Sequence, residues 1–180
     1  MVFAVLVAGL LQNPTPDSLA KYTYQSVDAI LKGSALPEAT TKSPSKGVFV
    51  TIESNGKVLG CRGTLEPSEP TLELEIQKAA RSATQFDPRY HGVHFGKTPY
   101  AVTLTIVERS EPIGSVDGLR PEEGLILRSA NGVGIVLPWE GKDPNTRLQW
   151  AYKKASTPQG TPVRLERLIA QRSRYPELKQ

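Results

Sequence analysis

The chain has 180 residues, of which 38% are hydrophobic and 22% are charged, a balance typical of one globular domain. With 15 glycines and 15 prolines it is rich in turn-forming residues, which argues against an all-helical bundle. Its one cysteine excludes an intramolecular disulfide and a cysteine-based zinc cluster.

Basic residues are concentrated near the C-terminus. The net charge is +4, and residues 147–180 hold eight Lys or Arg against two Glu. The cations are Arg147, Lys153, Lys154, Arg164, Arg167, Arg172, Arg174 and Lys179. They form either a solvated basic face or a surface that docks on phosphate or on an acidic protein. Only Trp150, Tyr152 and Tyr175 accompany them, so base stacking, and with it nucleic-acid binding, has little support.

The N-terminus opens with an uncharged segment, residues 2–11, that is apolar apart from Gly9. As a helix it would span only about 15 Å, so no transmembrane segment is predicted. Its length suits the core of a signal peptide, although no Lys or Arg precedes it and no clear cleavage site follows. A buried strand or helix fits it as well. Residues 1–13 are therefore predicted to be an apolar extension or a signal segment that would direct export.

The first helix begins at Thr15, Pro16 and Asp17. Thr is a good N-cap, Pro suits the first helical position, and Asp stabilises the positive end of a helix. Apolar residues at helical spacing continue until Gly33, a typical C-terminal stop. Residues 34–46, rich in Ser, Thr, Pro and Lys, are predicted to form a loop.

A β-hairpin follows, with residues 48–53 and 58–65 joined by the turn dipeptide Asn55-Gly56. The returning strand contains the sequence GCRG at 60–63. Because side chains alternate along a strand, Cys61 and Arg62 should face opposite sides of the sheet.

The rest of the chain is predicted to add two helices, a strand, a second hairpin and a final strand-like segment. A helix after Pro67 ends at Asp87-Pro88, because the residue before proline resists helical geometry. The further elements are a strand at 101–107, a hairpin of 124–128 and 133–137, a helix from Asp143-Pro144, and a segment at 163–175 that favours a strand over a helix. Two hairpins favour an α+β fold with an antiparallel sheet and flanking helices over a doubly wound parallel sheet.

Cys61 is the first candidate for chemistry. Gly60 and Gly63 remove side-chain bulk beside it, which lets either a ligand or another part of the protein come close. A reactive thiol needs a lowered pKa, from a cation or from a helix N-terminus such as that of the helix after Pro67. The alternative is a small buried apolar side chain.

Asp87 and Arg89 are the second candidate. In the architectural interpretation, Asp87 bonds to local backbone amides and Arg89 forms an ion pair. In the functional interpretation, the planar guanidinium of Arg89 recognises a phosphate or a carboxylate. Glu66, just beyond the glycine-rich strand, is either an acid/base group or solvated.

His91 and His94 have the i, i+3 spacing of a helical metal site, but the surrounding Gly92, Gly96 and Pro99 predict a loop. No third ligand is evident, so no metal site is predicted.

Nine short stretches carry a resemblance to a known family. They are AILKG at 29–33, GVFVTI at 47–52, LGCRGTLEP at 59–67, AA at 79–80, DPRY at 87–90, EPI at 111–113, GLRP at 118–121, GLIL at 124–127 and GIVLP at 134–138. In this order they resemble the AMMECR domain, over residues 14–175, with residues 176–180 as a tail. The chain resembles a divergent member, because Leu59 stands where the family has Arg, Arg62 where it has Ile, and Trp139 where it has Gln.

The resemblance implies an α+β fold with a larger and a smaller subdomain, a cytoplasmic location, and a cleft near the glycine–cysteine motif. The reaction of the family is unassigned. Its frequent association with Memo-type and radical-SAM proteins suggests such partners and a link to nucleotide or RNA modification. Carried over, the candidate residues are Gly60, Cys61, Gly63, Asp87 and Arg89, with Arg62 as a substitute for the missing Arg.

The sequence therefore predicts a cleft at the Gly-Cys-Arg-Gly motif that binds a small anionic or nucleotide-like ligand, with Cys61 as the candidate catalytic residue. The alternative is a non-catalytic interaction module that docks through its basic C-terminal face. No cofactor is assigned.

Overall fold

The computed structural model describes residues 14–90 and 99–176. Within them the helices and strands follow one another in the order that the sequence predicts. The α-helices are α1 (Pro16–Lys32), α2 (Leu72–Gln85) and α3 (Pro144–Lys154), and a short 3-10 turn spans Pro88–Tyr90. The strands are β1 (Val48–Ser54), β2 (Lys57–Gly63), β3 (Ala101–Ile113), β4 (Gly124–Arg128), β5 (Val133–Val136) and β6 (Arg164–Tyr175).

Each of the α-helices begins at a side chain that caps its free amides. The side chains of Thr15, Thr71 and Asp143 accept hydrogen bonds from the first turns of α1, α2 and α3. Helix α1 ends at Gly33, whose φ of 64° is the left-handed conformation that glycine adopts without strain.

In the described part of the chain the strands form one antiparallel sheet in the order β2-β1-β3-β6-β4-β5. The turn between β1 and β2 has positive φ at Asn55 and Gly56, as this dipeptide predicts. The ambiguous segment at 163–175 is a strand, β6, and it joins the two halves of the sheet. Strand β3 is longer than predicted because its second half pairs with β6 beyond a bulge at Glu108.

Two hydrophobic cores correspond to the larger and smaller subdomains that the resemblance implies. The larger lies between α1, α2 and the first three strands, and includes Val27, Ile76 and Leu104. The smaller lies between α3 and the hairpin of β4 and β5, and includes Leu125 and Ala151.

A third cluster lies on the opposite face of the sheet. Phe49 of β1, Ile126 of β4, Leu168 of β6 and Leu137 after β5 pack together, and Cys61 packs against them. Contact between such distant strands requires a strongly curled sheet, so we call this side the concave face. The curl brings the outer strands β2 and β5 toward each other and so positions the site described below.

The predictions for residues 1–13, and for His91 and His94, lie outside the described residues. None of the described helices is both long enough and apolar enough to cross a membrane. Nor do three or more His, Cys, Asp or Glu side chains within 14–90 and 99–176 come together as a metal site.

Candidate functional site

The carboxylate of Asp87 is the centre of the site, and its side chain is only 3% exposed. It accepts a hydrogen bond of 2.9 Å from the backbone N–H of Cys61 on the free edge of β2. It also accepts bonds of 2.9 and 2.7 Å from Nε and Nη2 of Arg89. Burial alone would raise the pKa of Asp87, but the hydrogen bonds from Arg89 and Cys61 outweigh it and lower the pKa to about 2. Asp87 is therefore ionised and holds both partners in place.

Arg89 is fixed by this contact yet remains 48% exposed. Its Nη1 donors make no hydrogen bond to any residue within the described ranges, and its bond to Asp87 raises its own pKa. A guanidinium held in this way presents donors to solvent in a set direction, the geometry that recognises phosphate or carboxylate.

The Cys61 thiol is partly buried on the concave face, where the Thr51 hydroxyl donates to its Sγ at 3.1 Å. Burial raises the pKa of the thiol, and the opposing effects of Thr51 and of the nearby cations are smaller. The thiol is therefore protonated at neutral pH, since even an ordinary cysteine has a pKa near 8.5.

The sequence suggested that a helix N-terminus could activate Cys61, but the structure places the C-terminal end of α2 beside this strand. A Cβ built on Gly60 would lie 2.3 Å from the carbonyl oxygen of Ala83, near the end of α2. The helix dipole is negative at that end and gives a thiolate no support.

Gly60 and Gly63 make room for the protein itself. A Cβ on Gly63 would lie 1.9 Å from the carbonyl oxygen of Val48 in β1, just as one on Gly60 would meet α2. Of the two alternatives left open by the sequence, ligand or protein, the protein's own backbone takes the space beside both glycines. A ligand at this motif must therefore lie on the side of Cys61 and Arg89.

Arg62 faces away from the thiol, as the alternation predicts. Its Nη2 donates to the carbonyl oxygen of Phe86 at 2.9 Å, and its Nε lies 3.8 Å from the Asp87 carboxylate. Arg62 thus packs over the end of α2. It does not take the place, near Cys61, of the arginine that the family has where this chain has Leu59.

Two charged residues from the far edge of the sheet act electrostatically on Cys61 or Arg89, and sequence reasoning assigned neither to this site. Lys154 of α3 donates to Glu140 and, at 2.8 Å, to the carbonyl oxygen of Ile135 on the free edge of β5. The charge of Glu140 raises the pKa of both Cys61 and Arg89, so the two sheet edges lie close enough to interact. Nothing in the local sequence around residue 61 indicates this approach.

Trp139, which directly precedes Glu140, is 55% exposed. Its φ of 65° is unusual for a bulky residue, and its N–H donates to the carbonyl oxygen of Pro121 at 2.6 Å. A large apolar ring therefore stays in solvent on a strained backbone, which is a frequent property of binding sites.

The basic C-terminal face predicted from composition is largely neutralised. Arg147 is fully buried, and its guanidinium donates to the carbonyl oxygens of Arg120 and Glu123. Four of the other cations form ion pairs: Lys154–Glu140, Arg164–Glu166, Arg167–Glu111 and Arg174–Glu53. Lys153 and Arg172 have no ion pair with any residue that the structure describes.

A cavity of about 240 Å³ opens elsewhere on the concave face. Its walls come from residues 45–47, 65–67, 107–110, 126 and 128, and of the candidates from the sequence only Glu66 lines it. The chain that follows the Gly-Cys-Arg-Gly motif of β2, from Leu65 to Pro67, lies on the cavity wall.

Together, the curled antiparallel sheet and the glycine–cysteine edge strand define a small α+β domain of the AMMECR type. The sequence profile of the AMMECR1 family matches residues 15–173, so the chain belongs to that family. A protein of Thermotoga maritima is 33% identical over 130 residues, covering 69% of this chain and 74% of the relative. One of Methanothermobacter thermautotrophicus is 34% identical over 130 residues, covering 68% and 66%.

The fold also resembles the crystal structure of the uncharacterized protein PH0010 from Pyrococcus horikoshii. The two share 22% identity with a TM-score of 0.72, over 88% of this chain and 90% of that one. This likeness establishes the α+β architecture.

Proposed function

We propose that this AMMECR1-family domain binds a small anionic, nucleotide-like ligand at the site formed by Cys61, Arg89 and Glu140. The observation that carries the proposal is the Arg89 guanidinium, which buried Asp87 holds in one orientation while the side chain remains 48% exposed. A donor fixed in advance loses little conformational entropy when an anion binds, and this raises affinity.

The exposed indole of Trp139 supplies the second part of the recognition. It is 55% exposed and directly precedes Glu140, whose charge acts on Arg89. Aromatic rings stack on nucleobases of any sequence, whereas an arginine contacts the phosphate. A nucleotide, which has both a base and a phosphate, would therefore contact both the Trp139 indole and the Arg89 guanidinium.

The Cys61 thiol and the neighbouring hydroxyls form the floor of this site. Thr103 pairs with Thr51 in the sheet register, and its buried hydroxyl has no partner among residues 14–90 and 99–176. A catalytic role for Cys61 would require an ionised thiol, which its burial opposes. The proposal is therefore a binding function, with Cys61 in contact with the ligand.

Calorimetric titration with AMP and with ribose 5-phosphate tests the proposal. Arg89→Ala should weaken both ligands by about tenfold or more, the range for losing a hydrogen bond to a charged group. Trp139→Ala should weaken AMP alone, because ribose 5-phosphate has no base to stack. The control is Arg81→Ala, which removes an exposed arginine of α2 away from the site. If Arg89→Ala binds both ligands like the wild type, or if neither ligand binds the wild type, the proposal is wrong.

A link to nucleotide or RNA modification, with a Memo-type or radical-SAM partner, extends this proposal. The support is the family resemblance together with the exposed Arg89 and Trp139. Co-purification with a tagged chain tests it, and a partner that binds equally to Arg89→Ala would place docking elsewhere. The alternative of docking through a basic face has less support, because four of those eight cations are in ion pairs and Arg147 is buried.

A further inference from the structure

We infer a second binding site, for a small zwitterion with an apolar body such as a free apolar amino acid, in the cavity next to the β3 bulge. We call it the bulge cavity. Its volume of about 240 Å³ equals that of roughly eight waters at about 30 Å³ each. That is below the roughly 300–1,000 Å³ of pockets for drug-sized ligands, so the occupant is small.

The inner wall of the bulge cavity is apolar. Leu65, Val107 and Ile126 line it and belong to, or pack against, the hydrophobic cluster of the concave face. The opposite wall contains Glu108, the extra residue where the register of β3 with β6 shifts. Bulges of this kind redirect a side chain and are frequent next to functional sites.

Two of the cations on the cavity wall already have carboxylate partners. Nε of Arg109 donates to Glu111 at 2.8 Å, and Nε of Arg128 donates to Glu166 at 2.8 Å. Each guanidinium keeps N–H donors, as Arg89 does, but its positive charge is already balanced by a carboxylate.

Three other charges on the wall have no ion pair within the described part of the chain: Lys46, Glu66 and Glu108. All three are exposed at the rim of the cavity. Because Arg109 and Arg128 are balanced by their own carboxylates, the unpaired charges that a phosphate or a simple carboxylate would meet are one ammonium and two carboxylates, which is a net repulsion. A molecule with both an ammonium and a carboxylate can pair with each sign, and its apolar part can cover the inner wall.

Ser45 adds a neutral polar group. The structure buries its Oγ without a hydrogen-bond partner in the described ranges, and the residue lines the cavity. Buried hydroxyls almost always have partners, so this unpaired oxygen marks a polar position beside the cavity wall. The carboxylate of the zwitterion would lie next to Lys46.

Calorimetry with L-valine, L-leucine, L-methionine and L-phenylalanine tests the inference on the full chain. At least one should bind saturably, and the N-acetyl acid and the amide of that amino acid should each bind roughly fivefold more weakly, as expected for a lost solvent-facing ion pair. Lys46→Ala should weaken the amino acid but leave its amide unchanged. Glu108→Gln should weaken the amino acid but leave its N-acetyl form unchanged.

Lys42→Ala, which removes an exposed lysine of the same loop outside the cavity wall, is the control and should bind normally. Arg89→Ala should also bind the amino acid normally, so failure at this site and failure at the Cys61 site are distinguishable. No saturable binding of any of the four at millimolar concentration, or an N-acetyl acid that binds as well as the free amino acid, would overturn the inference.

Discussion

Asp87 shows at the level of one residue how a buried charge is kept ionised. Its carboxylate has lost nearly all contact with water, yet the Arg89 guanidinium and the Cys61 amide provide enough donors to replace that hydration. Removing such a carboxylate leaves its partners unsatisfied, which costs more than the pair itself contributes. Asp87 was predictable as a turn residue, but its contact with residue 61 required the tertiary structure.

Asp87→Asn should lower the free energy of unfolding by about 2 kcal/mol near neutral pH, the magnitude that corresponds to the lowered pKa. The folded pKa of about 2 is below the unfolded value near 3.9, so this stabilisation is present above about pH 4. It should decrease as the pH falls below 4 and be nearly lost at about pH 2. Urea unfolding of both proteins across this range measures the difference.

Asp117→Asn, at an exposed aspartate, is the matched control and should change stability little at any pH. A wild-type advantage over Asp87→Asn that is as large at pH 2 as at pH 7 would contradict this account of Asp87.

At the level of elements, β2 depends on glycine for its packing against α2. Gly60→Ala would place a methyl group 2.3 Å from a backbone oxygen of the helix, and a backbone cannot move aside as a flexible side chain can. We expect a loss of about 2 kcal/mol in unfolding free energy, measured by chemical denaturation.

Gly114→Ala provides the comparison, because a Cβ at that position meets nothing within 4 Å. It should be neutral or slightly stabilising. If Gly60→Ala were as stable as Gly114→Ala but lost AMP binding, Gly60 would serve a ligand and its packing role would be refuted.

Local sequence patterns predicted most of the helices and strands. They failed where contacts between residues distant in sequence determine the structure. Caps such as Thr15 and turns such as Asn55-Gly56 act within a few residues, so the sequence alone reveals them. The second half of β3 was missed because its exposed side chains are held by pairing with β6, which is distant in sequence. Arg147 was misplaced on a surface because the buried carbonyls that it bonds belong to another segment.

At the level of the whole molecule, the curl of the sheet assembles the site. Cys61 and Arg89 were predictable from sequence because they lie in short, recognisable motifs. Glu140 and Lys154 were not, because β2 and β5 are at opposite ends of the strand order, and only the curvature brings Cys61 and Ile135 onto the same hydrophobic cluster. The proposed site would therefore take residues from the strands and helices of both the larger and the smaller core.

The central claim is that Cys61 is the protonated floor of an anion-binding site and not a thiolate nucleophile. Its most direct test is the rate of iodoacetamide alkylation of the native protein as a function of pH. We expect native Cys61 to react more slowly than an unstructured cysteine peptide, with an apparent pKa above the usual value near 8.5, and AMP to slow it further. A native thiol that reacts faster than the peptide at neutral pH and is unaffected by AMP would contradict the claim.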